Sequence, residues 1–171
     1  MMKPKTCKIC KDKFEPQRAL QIICSFKCSI EYYKKQKDKD WAKRKQVMKK
    51  ELLTVQDYIK LAQQVFNKYI RLRDKGQVCI SCQKECKKEN AGHFHNANNH
   101  WAVRFDENNV HLQCEHCNTY LSGNLNEYRA NLINKIGIAN FELLQNKAKH
   151  TRKFTVEELK QIIETYKQKT K

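Results

Sequence analysis

Cysteine falls in this chain as two quartets, each built from two close pairs. Cys79-x-x-Cys82 and Cys114-x-x-Cys117 stand thirty-one residues apart; Cys7-x-x-Cys10 and Cys24-x-x-x-Cys28 stand thirteen apart. Thiolate pairs of this kind converge on one tetrahedral zinc whatever the length of chain between them. Each quartet therefore ties down four points of the fold. The expected cofactors are two structural Zn²⁺ ions, one on Cys79, Cys82, Cys114 and Cys117, the other on Cys7, Cys10, Cys24 and Cys28. The first quartet along the chain has a looser spacing, and its alternative is four buried thiols. Phe26 is expected to pack beneath it. Cys86 makes the total nine, an odd count that argues against a full set of disulfides, and reads as a structural or free thiol. Without export features, so many cysteines point to metal.

The charge balance is one-sided. The 171 residues hold 35 Lys+Arg against 18 Asp+Glu, a formal +17, which favours polyanionic partners, above all nucleic acid. From Lys34 to Lys50 there are nine basic and two acidic residues and no Pro or Gly. A helix is expected there, either an exposed spacer or a phosphate-contacting surface offering Lys34, Lys35, Lys43, Arg44, Lys45, Lys49 and Lys50. No secretory signal opens the chain and no apolar run is long enough for a bilayer. The expected location is cytoplasmic, in a bacterial host or at its nucleoid.

With four Gly and two Pro, helices should dominate. Thr54 reads as an N-cap with Asp57 completing the box, and Thr155 with Glu158 likewise. Strand patterns occur at Ala91–Phe94 and Val110–Gln113, and Gly76–Cys86 reads as a short β-type run with a zinc knuckle. The fold class expected is α+β and mostly helical. Its parts are an N-terminal zinc finger-like unit (1–29), a basic helical linker (30–53), an amphipathic helix (54–75), a zinc-clipped core (76–124) and C-terminal helices (125–171).

Between the core's two knuckles the chain crowds histidine and asparagine. Zinc takes four sulfurs and leaves these side chains for other work. A strand carrying His93, pairing with Val110–Gln113 and followed by a helix near Cys117, makes a β-hairpin and helix. Asn118 on the first helical turn would face back toward His93. A histidine near a helix-borne amide oxygen frames a divalent ion and a water. His100 and His116 read as surface residues.

That layout resembles the HNH (ββα-metal) nucleases, with His93, Asn109 and Asn118 at the signature positions, and the "CEHCN" run resembles the endonuclease VII type. The closer resemblance is to the NinG (Rap) recombination protein family of lambdoid phages. It covers nearly the whole chain through "QQVFNKYIRLRD", "CISC", "AGHF", "RFDENNVHLQC", "CNTYLSGNL" and "YRANLINKIG". It implies a structure-specific endonuclease acting on Holliday junctions and D-loops by metal-dependent phosphodiester hydrolysis. It implies a small HNH core flanked by helices, with Mg²⁺ or Mn²⁺ as catalytic ion and branched or duplex DNA as partner. His93 would be the general base, Asn118 an ion ligand, and Asn109 a loop-fixing residue. The chain departs from the HNH pattern at Gly92, where Asp is usual, and from the NinG pattern at Asn90. His111 is then first choice for the second ligand, ahead of His95 and Asp106. Two alternatives stand beside this reading: a non-catalytic zinc-dependent DNA-binding module, and an HNH nicking enzyme with another target. Cutting two strands would suit a homodimer, and other phage recombination proteins are expected partners.

Overall fold

A computed structural model describes residues 3–171, and of Lys50 its backbone alone. The chain divides into two compact units, Met1–Leu53 and Thr54–Lys171. Among the described residues no helix is long and apolar enough to cross a membrane.

In the first unit, β1 (Lys5–Thr6) and β2 (Lys13–Phe14) form a minimal antiparallel hairpin that carries Cys7 and Cys10 between its strands. Helix α1 (Phe26–Glu51) follows. It begins earlier than the basic stretch suggested, so that Cys28 sits in its first turn. Phe26 does not pack beneath the cysteines: as the first residue of the helix it points outward and is 82% exposed. Besides Pro16, the buried apolar residues of this unit are Cys7 and Cys28 alone, among the described residues.

The second unit is organised around a two-stranded antiparallel sheet, β3 (Glu89–His93) and β4 (Val110–Cys114), in the register Gly92↔His111 and His93↔Val110. Helix α2 (Val55–Arg73) lies against it through Phe66 and Ile70, which meet Val110 and Ala91. The capping boxes at Thr54–Asp57 and Thr155–Glu158 both form, each satisfying two amide donors that a helix start leaves open. Helix α5 (Val156–Gln168) packs on α2 around Ile59, Ala62, Phe154 and Leu159. Glu107 joins the two helices by accepting hydrogen bonds from Tyr69 (2.8 Å), Tyr166 (3.2 Å) and Lys169 (2.7 Å). Helices α3 (Leu125–Ile136) and α4 (Ile138–Ala148) build a further core with Ile80 and Val103, centred on Tyr128, Leu132, Phe141 and Leu144.

Two local expectations are corrected. Gly76–Cys86 is not a strand; it is the turn that carries Cys79 and Cys82, tied to the sheet by Ile80 N–H donating to Leu112 O at 2.9 Å. A turn that must bring two sulfurs together has no room for an extended ladder. The helix after β4 is one wide π-type turn, His116–Tyr120. It ends in Ser122, Gly123 and Asn124, all at positive φ, where the Gly123 carbonyl accepts from Ser81 Oγ (3.3 Å) and Gln113 Nε2 (2.5 Å).

Candidate functional site

The sulfurs come first, because they fix the frame. In each quartet the four Sγ atoms lie within 4.8 Å of one another. The closest pairs are Cys10–Cys24 at 3.5 Å, Cys24–Cys28 at 3.7 Å and Cys82–Cys114 at 3.9 Å. Four thiolates about 2.3 Å from a tetrahedral zinc stand roughly 3.8 Å apart, so the spacing fits the ion. The amides of Cys114 and Cys117 point at Cys79 Sγ and Cys114 Sγ, each at 3.4 Å. Burial raises the Cys79 thiol, yet the backbone amides of Cys114, Cys82 and Ser81 outweigh it and pull the group down to about 7. Burial and the sulfurs of Cys114 and Cys82 push Cys117 up to about 12; a cation is what lets four such groups ionise together. The two clusters are compatible with two zinc sites. Cys86 stands outside the quartet, and burial, with the nearby sulfurs, pushes its thiol up to about 12.

His93 closes β3 at the end of the hairpin away from these sulfurs. Its Nε2–H donates to the Arg104 carbonyl at 3.1 Å. A carbonyl only accepts, so the ring carries its proton on Nε2 and leaves Nδ1 with a lone pair. Burial, and then the charge of Arg104, bring His93 down to about 4, so the imidazole is neutral at physiological pH.

What holds Arg104 in place is Asn109. This fully buried carboxamide accepts from His95 N–H (2.8 Å) and donates to His95 O and Val103 O, both at 3.0 Å. It closes the neck of the loop between the strands and sets the short 3₁₀ turn Trp101–Val103 from which Arg104 follows. Arg104 is pinned again through Nε to Gln63 (2.9 Å) and Nη1 to Ala97 O (3.1 Å).

His111 is placed against a ligand role. Its Nδ1 accepts from Arg73 at 2.9 Å and its Nε2–H donates to Asn108 O at 3.2 Å. Both ring nitrogens are spent. In the antiparallel register it shares a face with Gly92, while His93 points to the other. The group it serves is Asp74, the α2 C-cap, buried beside Arg73 and Lys135 and accepting from Leu112 N–H at 2.9 Å. Burial alone would raise the Asp74 carboxyl; the bonds donated by the Arg73 guanidinium and the Leu112 amide hold it well below the usual range.

Asn118 is half-buried in the middle of the His116–Tyr120 turn. Of the weaker ligand choices, Asp106 pairs with Lys147 at 3.1 Å, and His95 is half-buried with its ring 4.9 Å from that of His100. His100 is not a free surface residue: it is half-buried and its Nδ1–H donates to Ala148 O at 3.0 Å. His116 is exposed.

Gly92 has its own reason. A Cβ at 92 would collide with the Gln113 carboxamide oxygen and lie 2.8 Å from Gln113 Cβ. Gln113 is itself fully buried, held through Nε2 by Ser81 and Gly123. Gly92→Ala is therefore expected to cost about 1–3 kcal/mol by overpacking, read as a lower urea midpoint; an unchanged midpoint would mean that Gln113 swings aside freely.

Neither the Arg104 carbonyl nor the Arg73–Asp74–His111 set was expected from sequence. A backbone acceptor leaves no residue signature, and Asp74 gave only the signal of an acidic residue just before Gly76.

The candidate DNA surface on α1 presents Lys34, Lys43, Arg44, Lys45 and Lys49 exposed. Lys35 is paired with Glu31 at 2.8 Å. Lys50 belongs to the same expectation, but its side chain lies outside the described residues. Trp41, 63% exposed, stands among them.

Comparison with known proteins now bears on the whole chain. A family model described as Bacteriophage Lambda NinG protein matches residues 1–171. The chain belongs to the NinG family. It is 37% identical to protein ninG of Escherichia phage 933W over 193 residues, covering 100% of this chain and 95% of that one. It is 36% identical to the Salmonella phage P22 protein, with 95% and 89% covered, and 35% identical to that of Escherichia phage lambda, with 95% and 88% covered. No solved structure matches.

Proposed function

We propose that this NinG protein is an HNH-type DNA endonuclease that cuts branched recombination intermediates, Holliday junctions and D-loops, by metal-dependent phosphodiester hydrolysis. One observation carries the reading. His93 sits at a strand end with Nε2–H fixed on the Arg104 carbonyl, so that Nδ1 is a neutral, oriented proton acceptor.

In this reading Nδ1 takes a proton from a water, the resulting hydroxide attacks phosphorus, and the P–O3′ bond breaks, the 3′ oxygen leaving with a proton from solvent. An anionic phosphodiester beside His93 raises its basicity toward neutral pH. Asn118 is the proposed protein ligand for Mg²⁺ or Mn²⁺. Gly92 offers no side chain and the His111 nitrogens are engaged, so the donor set is sparse, which suits an ion that keeps most of its waters. When bound, such an ion supplies charge neutralisation at the phosphate and the leaving oxygen. Asn109 acts at one remove, holding the loop that aims Arg104 O. The basic face of α1 supplies sequence-independent phosphate attraction.

The test uses the purified full chain on a synthetic four-way junction, a D-loop and a linear duplex, with Mg²⁺ or Mn²⁺ and with EDTA. The expected result is cutting of the branched substrates that EDTA stops while zinc stays bound. Tight junction binding with no cutting in either ion would instead make the protein a zinc-dependent binding module. Preferential cutting of linear duplex would make it an HNH enzyme with another target.

A further inference from the structure

The Thr54–Lys171 unit holds a feature that the His93 chemistry does not use. A cavity of about 750 Å³ opens between the first turns of α2, the Asn99–Trp101 segment and the connection from α4 to α5. Ile59, Trp101 and Phe154 give it an apolar floor. Its rim is cationic, with Lys149, Arg152 and Lys153, and no carboxylate lines it. Lys149 and Lys153 are exposed and enter no ion pair among the described residues. The Arg152 guanidinium lies over the Phe154 ring at 4.5 Å and also reaches Glu158 at 3.1 Å.

An apolar slot ringed by ammonium groups has a specific complement. A nucleobase is flat and apolar on its faces, and within a strand its sugar is flanked by a phosphate on either side. Bases within a duplex are stacked on their neighbours and cannot enter a slot of this kind; an unpaired base can. We propose that the cavity takes an unpaired base of a DNA strand against Trp101, with the flanking phosphates on Lys149 and Lys153. The choice of polymer rests on the endonuclease reading above; the base-and-phosphate chemistry rests on the cavity itself. The cavity is also coupled to the cutting residue. The Arg104 guanidinium lies over the Trp101 ring at 4.9 Å, and the same residue's carbonyl accepts the His93 Nε2–H. One residue thus touches both the cavity wall and the imidazole. Such a slot selects DNA that has lost its stacking, as at a branch point, where a helix-reading surface would select duplex.

The chain has two tryptophans, so Trp41→Phe leaves Trp101 as the sole reporter. The probe is single-stranded oligothymidylate, titrated without a cleavage-supporting ion, beside a blunt duplex of equal length, with binding followed independently by anisotropy of a labelled strand. The expected result is saturable quenching of Trp101 by the single strand and none by the duplex. Lys149→Ala/Lys153→Ala, two exposed positions that do not support the fold, should weaken single-strand binding about tenfold or more. It should also lower the slope of log K against log salt by roughly 1.4, two phosphate contacts' worth, and leave duplex binding nearly as it was. Full binding of the oligonucleotide with Trp101 emission unchanged would overturn the proposal, as would equal loss on both ligands in the lysine variant. Cleavage separates this outcome from the larger one. A protein that cuts junctions while Trp101 stays silent refutes the slot and keeps the nuclease. One that shows the quench but never cuts keeps the slot and refutes the nuclease. One that binds no DNA removes both.

Discussion

Replacing His93 with alanine is expected to lower junction cleavage by about 10²–10⁴-fold, the usual worth of a positioned general base, and to leave zinc content and junction binding as they were. The selectivity follows from where the residue sits. The imidazole gives the fold one hydrogen bond, to the Arg104 carbonyl, worth about 1 kcal/mol. That carbonyl's loop is held independently by Asn109 and by the Arg104 side chain. Cleavage of the variant at the native rate would remove His93 from the chemistry. The pH profile gives a second reading. Burial brings the folded group down to about 4, against about 6.5 in an unfolded chain. The acid limb of kcat/KM, which reports the free enzyme, should therefore fall well below the range of an ordinary histidine. Stability should fall as well when pH drops. Between about 6.5 and about 4 the unfolded chain binds more protons at this position, so acidification through that window weakens the fold, and above it the residue contributes no slope. An acid limb near 6.5 would mean that the base is a different or more exposed group.

Loss of zinc from the first unit should unfold that unit. Residues 3–53 bury Cys7, Cys28 and Pro16 and little else, so the metal takes the place of a core. Structural zinc in small domains is worth about 10–16 kcal/mol at neutral pH, more than so short a segment gains by any other means. Cys7→Ser/Cys10→Ser should halve the zinc content, since two quartets are placed to share it, and expose residues 3–28 to rapid trypsin cleavage. The thermal transition of the Thr54–Lys171 unit should persist, because three apolar clusters support it. Undiminished zinc or unchanged protection of the segment would refute the assignment of the first quartet. The equivalent change at Cys114 and Cys117 strikes β4 directly and should disturb the sheet that carries His93.

The parts of this fold that could be read from sequence are those whose physics is local. Thr54 with Asp57 and Thr155 with Glu158 satisfy their own amides three residues away, and the side-chain alternation of β4 is visible within five residues. Cysteine spacing is local too, and the two sulfur clusters follow from it. What escaped is long-range. His111 looked like a ligand because nothing near it in sequence announces Arg73, thirty-eight positions earlier. The run Gly76–Cys86 looked extended because Val78 and Ile80 alternate in it, while the closing of a sulfur pair governs its backbone. Gly92 seemed a missing acid; the three-dimensional reason for it is Gln113, on the facing strand two residues beyond its register partner His111.

The hairpin is fastened twice, by sulfur at Cys114 and by the Asn109 carboxamide at the opposite end. A ladder of only five pairs would otherwise slide easily, and sliding by a single residue would turn the imidazole to the wrong side of the sheet. With both fasteners closed, a slip must break a sulfur cluster and a buried amide's hydrogen bonds at once. His93 is thus indexed along its strand by the fold alone, and binding of a ligand need not do that work.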